Sequence, residues 1–190
     1  MSEVIKALME RRSIRKFLPD PIDERDLQTI LTTGTYAPTA RNTQAVHATA
    51  VVGPEAIAKL NEAVKAATVK PGFDKYKGMV GSPGYTVNYK DAPVFIIVST
   101  DPEASFTPKE DGALMLGNIL LAAHALGLGA CWINQLGPID EEPDFRKVLT
   151  RLGVPANYRI VGCAAVGYRA GDNPSAPPRK NALFNIVKSI

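Results

Sequence analysis

The chain has 190 residues, with 22 Lys+Arg against 19 Asp+Glu and a formal charge of +3. Hydrophobic residues make up 45% and charged residues 22%, near globular averages, which excludes disordered, collagenous and low-complexity classes. A chain this long buries roughly 70% of its unfolded surface without a staple, and two cysteines, Cys131 and Cys163, are too few for a disulfide scaffold and fit a reducing, cytoplasmic setting.

Ser2 is placed to cap a first helix whose apolar stripe is Val4, Ile5, Leu8 and Met9, ending near Arg12. The charged, amphipathic run from Met1 lacks the pattern of a secretory leader. After the break at Pro19 and Pro21, Asp23 caps a second helix with Leu27, Ile30 and Leu31 inward, ending around Gly34. Residues 36–44 read as a polar loop and 45–52 as a strand, with Val46, Ala48, Ala50 and Val52 alternating. Gly53-Pro54 opens a third helix that buries Ile57, Leu60 and Val64. Residues 70–91 are a long irregular excursion holding Phe73, Tyr76, Tyr85 and Tyr89; such loops serve as lids or binding loops, or are plain surface insertions.

Residues 93–100 are almost wholly apolar and suit a strand buried on both faces. Thr107-Pro108-Lys109-Glu110 reads as a helix start with a capping box, and a long apolar helix follows to Gly127 or Gly129. From Gly112 to Gly129 only Asn118 and His124 are clearly polar. Without flanking basic or aromatic anchors this is a buried helix rather than a membrane span. A helix apolar on nearly all sides is hard for so small a protein to cover alone, which points to a homodimer. A strand over 130–136, a helix carrying Phe145, Val148, Leu149 and Leu152, and a last strand over 158–168 complete the pattern. A Pro-rich tail leads to a docking segment at Leu183, Phe184, Ile186 and Val187. With no repeat or linker, one α+β or α/β domain over residues 1–190 is expected, with about four strands and a core of helices.

Several chemistries lack their residues. No Gly-rich run ends in Gly-Lys-Ser/Thr. Gly127-Leu128-Gly129 follows a helix rather than a strand, so it is no dinucleotide fingerprint. His47 and His124 stand far apart and away from any Cys-x-x-Cys, so no metal site is read. Gly81-Ser82-Pro83-Gly84 is no nucleophile elbow, and nothing local pairs Cys131 with His124 for thiol catalysis. A pI of about 8.8 does not call for nucleic acid.

Two segments carry positive signals. Arg11-Arg12-Ser13-Ile14-Arg15-Lys16-Phe17 gathers four cations and a hydroxyl just past a helix. The planar forks of arginine suit phosphate, while the same charges also suit a solvated helix C-terminus. In Ala37-Pro38-Thr39-Ala40-Arg41-Asn42-Thr43-Gln44, the amides of Asn42 and Gln44 can face a planar heterocycle, or the segment is a solvated turn.

Taken together, Arg-Arg-Ser-x-Arg-x-Phe followed about one helix later by Ala-Pro-Thr-x-x-Asn-x-Gln resembles the FMN-dependent nitroreductase family. Asp111 and the helix reading Gly117-Asn118-Ile119-Leu120-Leu121-Ala122-Ala123 continue the resemblance. So do Leu126-Gly127-Leu128-Gly129-Ala130-Cys131-Trp132-Ile133, Val166-Gly167-Tyr168 and Pro178-Arg179-Lys180. The resemblance implies a mostly antiparallel sheet of about four to five strands wrapped by helices, in an intertwined homodimer with FMN at the subunit interface. It implies that Arg11, Arg12 and Ser13, joined by Arg179, grip the phosphate, and that Arg15 approaches the pyrimidine side of the ring. Pro38, Thr39, Ala40 and Asn42 would come from the partner to line the ring, with Gln44 a further candidate. Main-chain groups of Ile133, Asn134 and Gln135 would lie near the reactive N5 edge. The activity implied is ping-pong hydride transfer from NAD(P)H through the flavin to an acceptor such as a nitroaromatic or quinone, with Phe73, Tyr76 and Tyr85 stacking on substrate or packing the excursion. The sequence departs from the family at Ala45-Val46, where Pro-Trp is frequent, at Asn134-Gln135, and at Pro177, where a lysine is common. The alternatives are a flavoprotein of the same fold with oxidase, dehalogenase or flavin-consuming activity, and a flavin-free module binding nucleic acid or an acidic partner through residues 11–16.

Overall fold

Val94–Thr100 is buried along all seven residues, as a continuous apolar run without polar alternation requires of a strand covered on both faces. This strand, β2, is central to a four-stranded antiparallel sheet of order β1-β2-β4-β3, with β1 at Val46–Val52, β3 at Gly129–Ile133 and β4 at Arg159–Gly167. The computed structural model describes residues 1–72, 85–87, 91–180 and 184–188; Phe73, Tyr76, Tyr89 and Leu183 fall outside them. Among the described residues five α-helices surround the sheet: α1 Glu3–Glu10, α2 Glu24–Thr35, α3 Pro54–Thr68, α4 Pro108–Ala125 and α5 Pro143–Arg151. The architecture is α+β, with four strands.

The period-2 alternation of the strands sorts two cores. Phe95, Ile97, Ile133, Cys163 and Ala165 face Ile57, Leu60 and Val64 of α3 and Phe145 and Leu149 of α5. Val94, Ile96, Val98, Ala130, Ala164 and Val166 face Ile30 of α2 and Met115, Leu116, Ile119 and Ala123 of α4. The sheet is the middle of three layers, and each buried large apolar side chain contributes about 1.5–3 kcal/mol. α4 lies very close to β4: a Cβ on Gly112 would sit 2.5 Å from Val161 Cγ2, so any larger residue there would push the helix off the sheet. α4 ends where Gly127 takes φ +80 and Leu128 N–H donates to Ala123 O at 2.9 Å, a left-handed cap that glycine adopts without a Cβ penalty.

The structure corrects several sequence expectations. The Thr107–Glu110 capping box does not form; the Thr107 hydroxyl instead donates to Asp111 Oδ1 at 2.9 Å. α1 starts at the Ser2 cap as expected but ends at Glu10 and buries none of its residues, leaving Val4, Ile5, Leu8 and Met9 exposed. β3 stops at Ile133, because the chain turns through residues 134–136 into a short 3₁₀ turn at Gly137–Ile139. Phe184, Ile186 and Val187 are exposed rather than docked on their own chain. No described helix is long and apolar enough to cross a membrane.

Polar staples tie the periphery down. Lys70 Nζ reaches Glu142 Oε1 at 2.5 Å and Asp144 Oδ2 at 2.7 Å, joining the end of α3 to the start of α5. The Asp140 carboxylate accepts from Arg146 and from Ile160 N–H. Asn61 Oδ1 in α3 accepts Val87 N–H at 2.7 Å, so the far end of the excursion is pinned to the core. Cys163 is fully buried, and burial followed by the nearby Asp140 charge pushes its thiol far up; no reactive thiolate arises there.

Candidate functional site

After α1 the segment Arg11–Phe17 runs alongside the sheet as a partial extra strand. Ser13 bridges Ala130 in parallel, Ile14 N–H donates to Ala130 O at 3.0 Å, and Phe17 bridges Arg169. Ile14 and Phe17 are buried in the core while Ser13, Arg15 and Lys16 remain exposed. Burial of Ile14 and Phe17 therefore anchors the segment, and the polar residues between and before them are presented to solvent. Arg12 Nη1 donates to Met9 O at 2.8 Å and Arg11 O at 2.6 Å, while its Nε is buried with no partner. Burial, then Arg169, Arg11 and Arg12, lower the pKa of the nearby His124, opposed by Glu10. A strongly positive corner thus forms where α1, the end of α4 and the start of β3 meet. Asn173 Nδ2 donates to Glu10 O at 2.9 Å, which brings the start of the tail to this corner. Arg179 lies farther along the exposed tail, and no described contact joins it to Arg11–Ser13.

The second segment holds a tight 3₁₀ turn, Ala40–Asn42, and Arg41 and Asn42 within it and Gln44 just beyond it take φ of 54, 55 and 52. Non-glycine residues in the left-handed region each cost on the order of 1 kcal/mol and persist only where the surroundings hold them. Here the holding groups are identifiable. Asp111 Oδ1 accepts Ala40 N–H at 3.1 Å, Thr39 Oγ1 accepts Gln44 N–H at 3.0 Å, and Gln44 Nε2 donates to Asn42 Oδ1 at 3.2 Å. The two amides therefore act as one linked pair. The Arg41 guanidinium lies 4.4 Å over the exposed Phe106 ring. Asp111 is 2% exposed and also accepts from Ser105 and Thr107. Burial would raise its pKa, but the bonds from Ser105, the Ala40 amide and Thr107 outweigh it and hold the carboxyl below its ordinary range. The sequence places Asp111 only at a helix start, next to Glu110, and nothing in its spacing marks it as the anchor of the loop. The approach of Arg169 had no sequence signal.

At the end of β3, Ile133 is buried, Asn134 exposed and Gln135 half-buried. Tyr85 Oη donates to Gln135 Oε1 at 2.5 Å and its ring packs against the core.

These parts do not converge within one chain. Ser13 lies outside β3, at one edge of the sheet, beside Ala130, which pairs with Val166 and through it aligns with Val94 and Val52. The 38–44 loop leads into Val46, at the other end of the opposite edge strand. Crossing the sheet is on the order of 20 Å and running along it another 20 Å or so. The cationic corner and the amide loop are diagonal corners of the same sheet.

Comparison with known proteins places this fold. The nitroreductase family model matches residues 8–168, and the chain belongs to that family. A Bacteroides fragilis nitroreductase solved with bound FMN is similar at 36% identity and a TM-score of 0.92, over 99% of this chain and 100% of the other. An NADPH-flavin oxidoreductase of Vibrio harveyi is 28% identical over 94% of this chain and 70% of its own length. A relative in Archaeoglobus fulgidus, provisionally named NADH dehydrogenase/NAD(P)H nitroreductase, is 30% identical over 88% of this chain and 86% of its own.

Proposed function

We propose that the protein is an FMN-dependent oxidoreductase working as a homodimer, a single domain over residues 1–190, that takes hydride from NAD(P)H and passes it to an acceptor such as a nitroaromatic or quinone, in a reducing compartment such as the cytoplasm. The observation that carries the reading is the positive corner: Arg11 and Arg12 stand beside Ser13 with no described carboxylate partner, and Arg12 Nε is buried unpaired. A buried orphan donor among like charges is costly unless an anion sits with it. The donor set fits the phosphate of FMN. The diagonal separation of the two motifs supports a shared site, since a second copy can bring its loop to the first copy's corner. The exposed apolar face of α4, with Leu114, Ala125 and an open Gly117, and the exposed stripe of α1 support the same arrangement.

Bound between two copies, FMN supplies alternating acceptance and donation of hydride, in a ping-pong cycle. Arg11, Arg12, Ser13 and Arg179 bind the phosphate and fix the cofactor's position. Arg15, on the same presented face as Ser13, places a cation toward the pyrimidine side and favours charge there. Main-chain groups at Ile133, Asn134 and Gln135 border the reactive edge, with Gln135 held by Tyr85. The partner's Pro38, Thr39, Ala40, Asn42 and Gln44 wall the ring and exclude water. With the loop already locked in strained geometry by Asp111, little ordering remains on binding.

The test is the visible spectrum of freshly purified protein and the flavin it releases on heating, followed by anaerobic NAD(P)H. A yellow protein that releases FMN and bleaches with NAD(P)H is the expected result. A yellow protein that does not bleach would replace the reductase reading with an oxidase, dehalogenase or flavin-consuming one. A chain that stays colourless with added FMN would remove the flavin.

A further inference from the structure

We propose that Arg169 is an additional phosphate-binding residue, closing with Arg11, Arg12 and Ser13 an anion cradle at the start of β3; this rests on the FMN reading above. The backbone of Arg169 is locked beside the cationic segment: it bridges Phe17, Leu18 N–H donates to Tyr168 O at 2.9 Å, and Ala170 N–H donates to Lys16 O at 3.0 Å. Its stem lies across the start of β3. A Cβ on Gly129 would sit 2.8 Å from Arg169 Cγ and 2.8 Å from Ile14 Cγ2. The missing side chain at Gly129 is therefore what lets the arginine cross there, one residue from the Ala130 that bridges Ser13. Arg169 is half-buried, and among the described residues no carboxylate pairs with it. The guanidiniums of Arg169, Arg11 and Arg12 all act on the His124 imidazole, against the single carboxylate of Glu10. Gathering three cations at one corner repels unless a doubly charged anion lies among them. The phosphate of FMN and free phosphate share that chemistry, and the experiment separates them.

The full chain, stripped of flavin, is titrated with FMN and with riboflavin by flavin fluorescence in phosphate-free buffer, and again with inorganic phosphate as competitor. The unaltered protein is expected to bind FMN far more tightly than riboflavin. Arg169→Gln is expected to weaken FMN about tenfold, the scale of one charge-assisted hydrogen bond, and to leave riboflavin unchanged, with Arg169→Lys recovering part of the loss. Inorganic phosphate should compete only at concentrations well above those of FMN; if it competes as well as FMN, the cradle is a free-phosphate site and the proposal falls. An unchanged FMN affinity in Arg169→Gln, with FMN still bound tightly, overturns the role of Arg169 and leaves the flavin reading standing. Equal losses for FMN and riboflavin overturn it too, since they indicate damage to the scaffold rather than a lost phosphate contact. If the unaltered chain binds neither flavin, the FMN reading itself falls.

Discussion

At Asp111 three donors from two stretches of chain meet one carboxylate: the Ser105 and Thr107 hydroxyls and the Ala40 amide. Asp111→Ala strands all three and should cost about 3 kcal/mol, read as a lower urea midpoint, with the 39–44 amides exchanging faster. The carboxyl titrates below its ordinary value of 3.8 when folded. Its stabilisation is therefore complete above that value and is lost as pH falls through the lower, folded value. Acid titration of the wild type should show this extra destabilisation and Asp111→Asn should not. Arg15 offers a second test at this scale. If its cation is worth about 2 kcal/mol to the charged, reduced ring, Arg15→Ala should lower the two-electron flavin potential by about 40 mV; spectroelectrochemical titration that finds no change would remove the residue from the ring. The Arg11–Arg15 pattern was legible because it is contiguous. Asp111 and Arg169 act on residues 71 and more than 100 positions away, and spacing along a chain carries no such information.

Among the elements, the helices and strands followed their periodicity closely, and their errors fell at the ends. Thr107 and Glu110 have the right spacing for a capping box, yet a local competitor, Asp111 in the same first turn, takes the Thr107 hydroxyl. β3 was read too long because Asn134-Gln135-Leu136 contains nothing that forbids a strand; the chain turns there because α5 must pack beneath the sheet. α5 is held by Arg146, whose side chain is 16% exposed against 5% for its partner Asp140. Arg146→Met leaves that carboxylate buried and unpaired, at a cost of about 3–5 kcal/mol. The double variant with Asp140→Asn should regain much of it, and urea unfolding of the set separates loss of the pair from loss of packing.

For the molecule as a whole, α1 and α4 leave apolar surface uncovered. Leu114 is 47% exposed, on a helix whose other face is buried against the sheet, and Leu8 is 56% exposed, on a helix that buries none of its residues. If a second copy covers them, light scattering should give twice the 20.4 kDa of the chain, and Leu114→Glu should give monomers that lose FMN in step, because in the proposed dimer the loop walling each site would come from the other subunit. Monomers that kept FMN would show the site to be complete in one chain. The sequence by itself determined the doubly buried β2, the apolar α4 and both polar motifs, because periodicity and short-range chemistry are local properties; periodicity left α+β and α/β open, and the family resemblance pointed to the antiparallel sheet. Only the tertiary structure decided that Asp111 locks the strained loop, that Arg169 reaches the cationic corner, and that the two motifs stand at diagonal corners of one sheet. Strand order and register set those distances, and they come from packing between residues far apart in the chain.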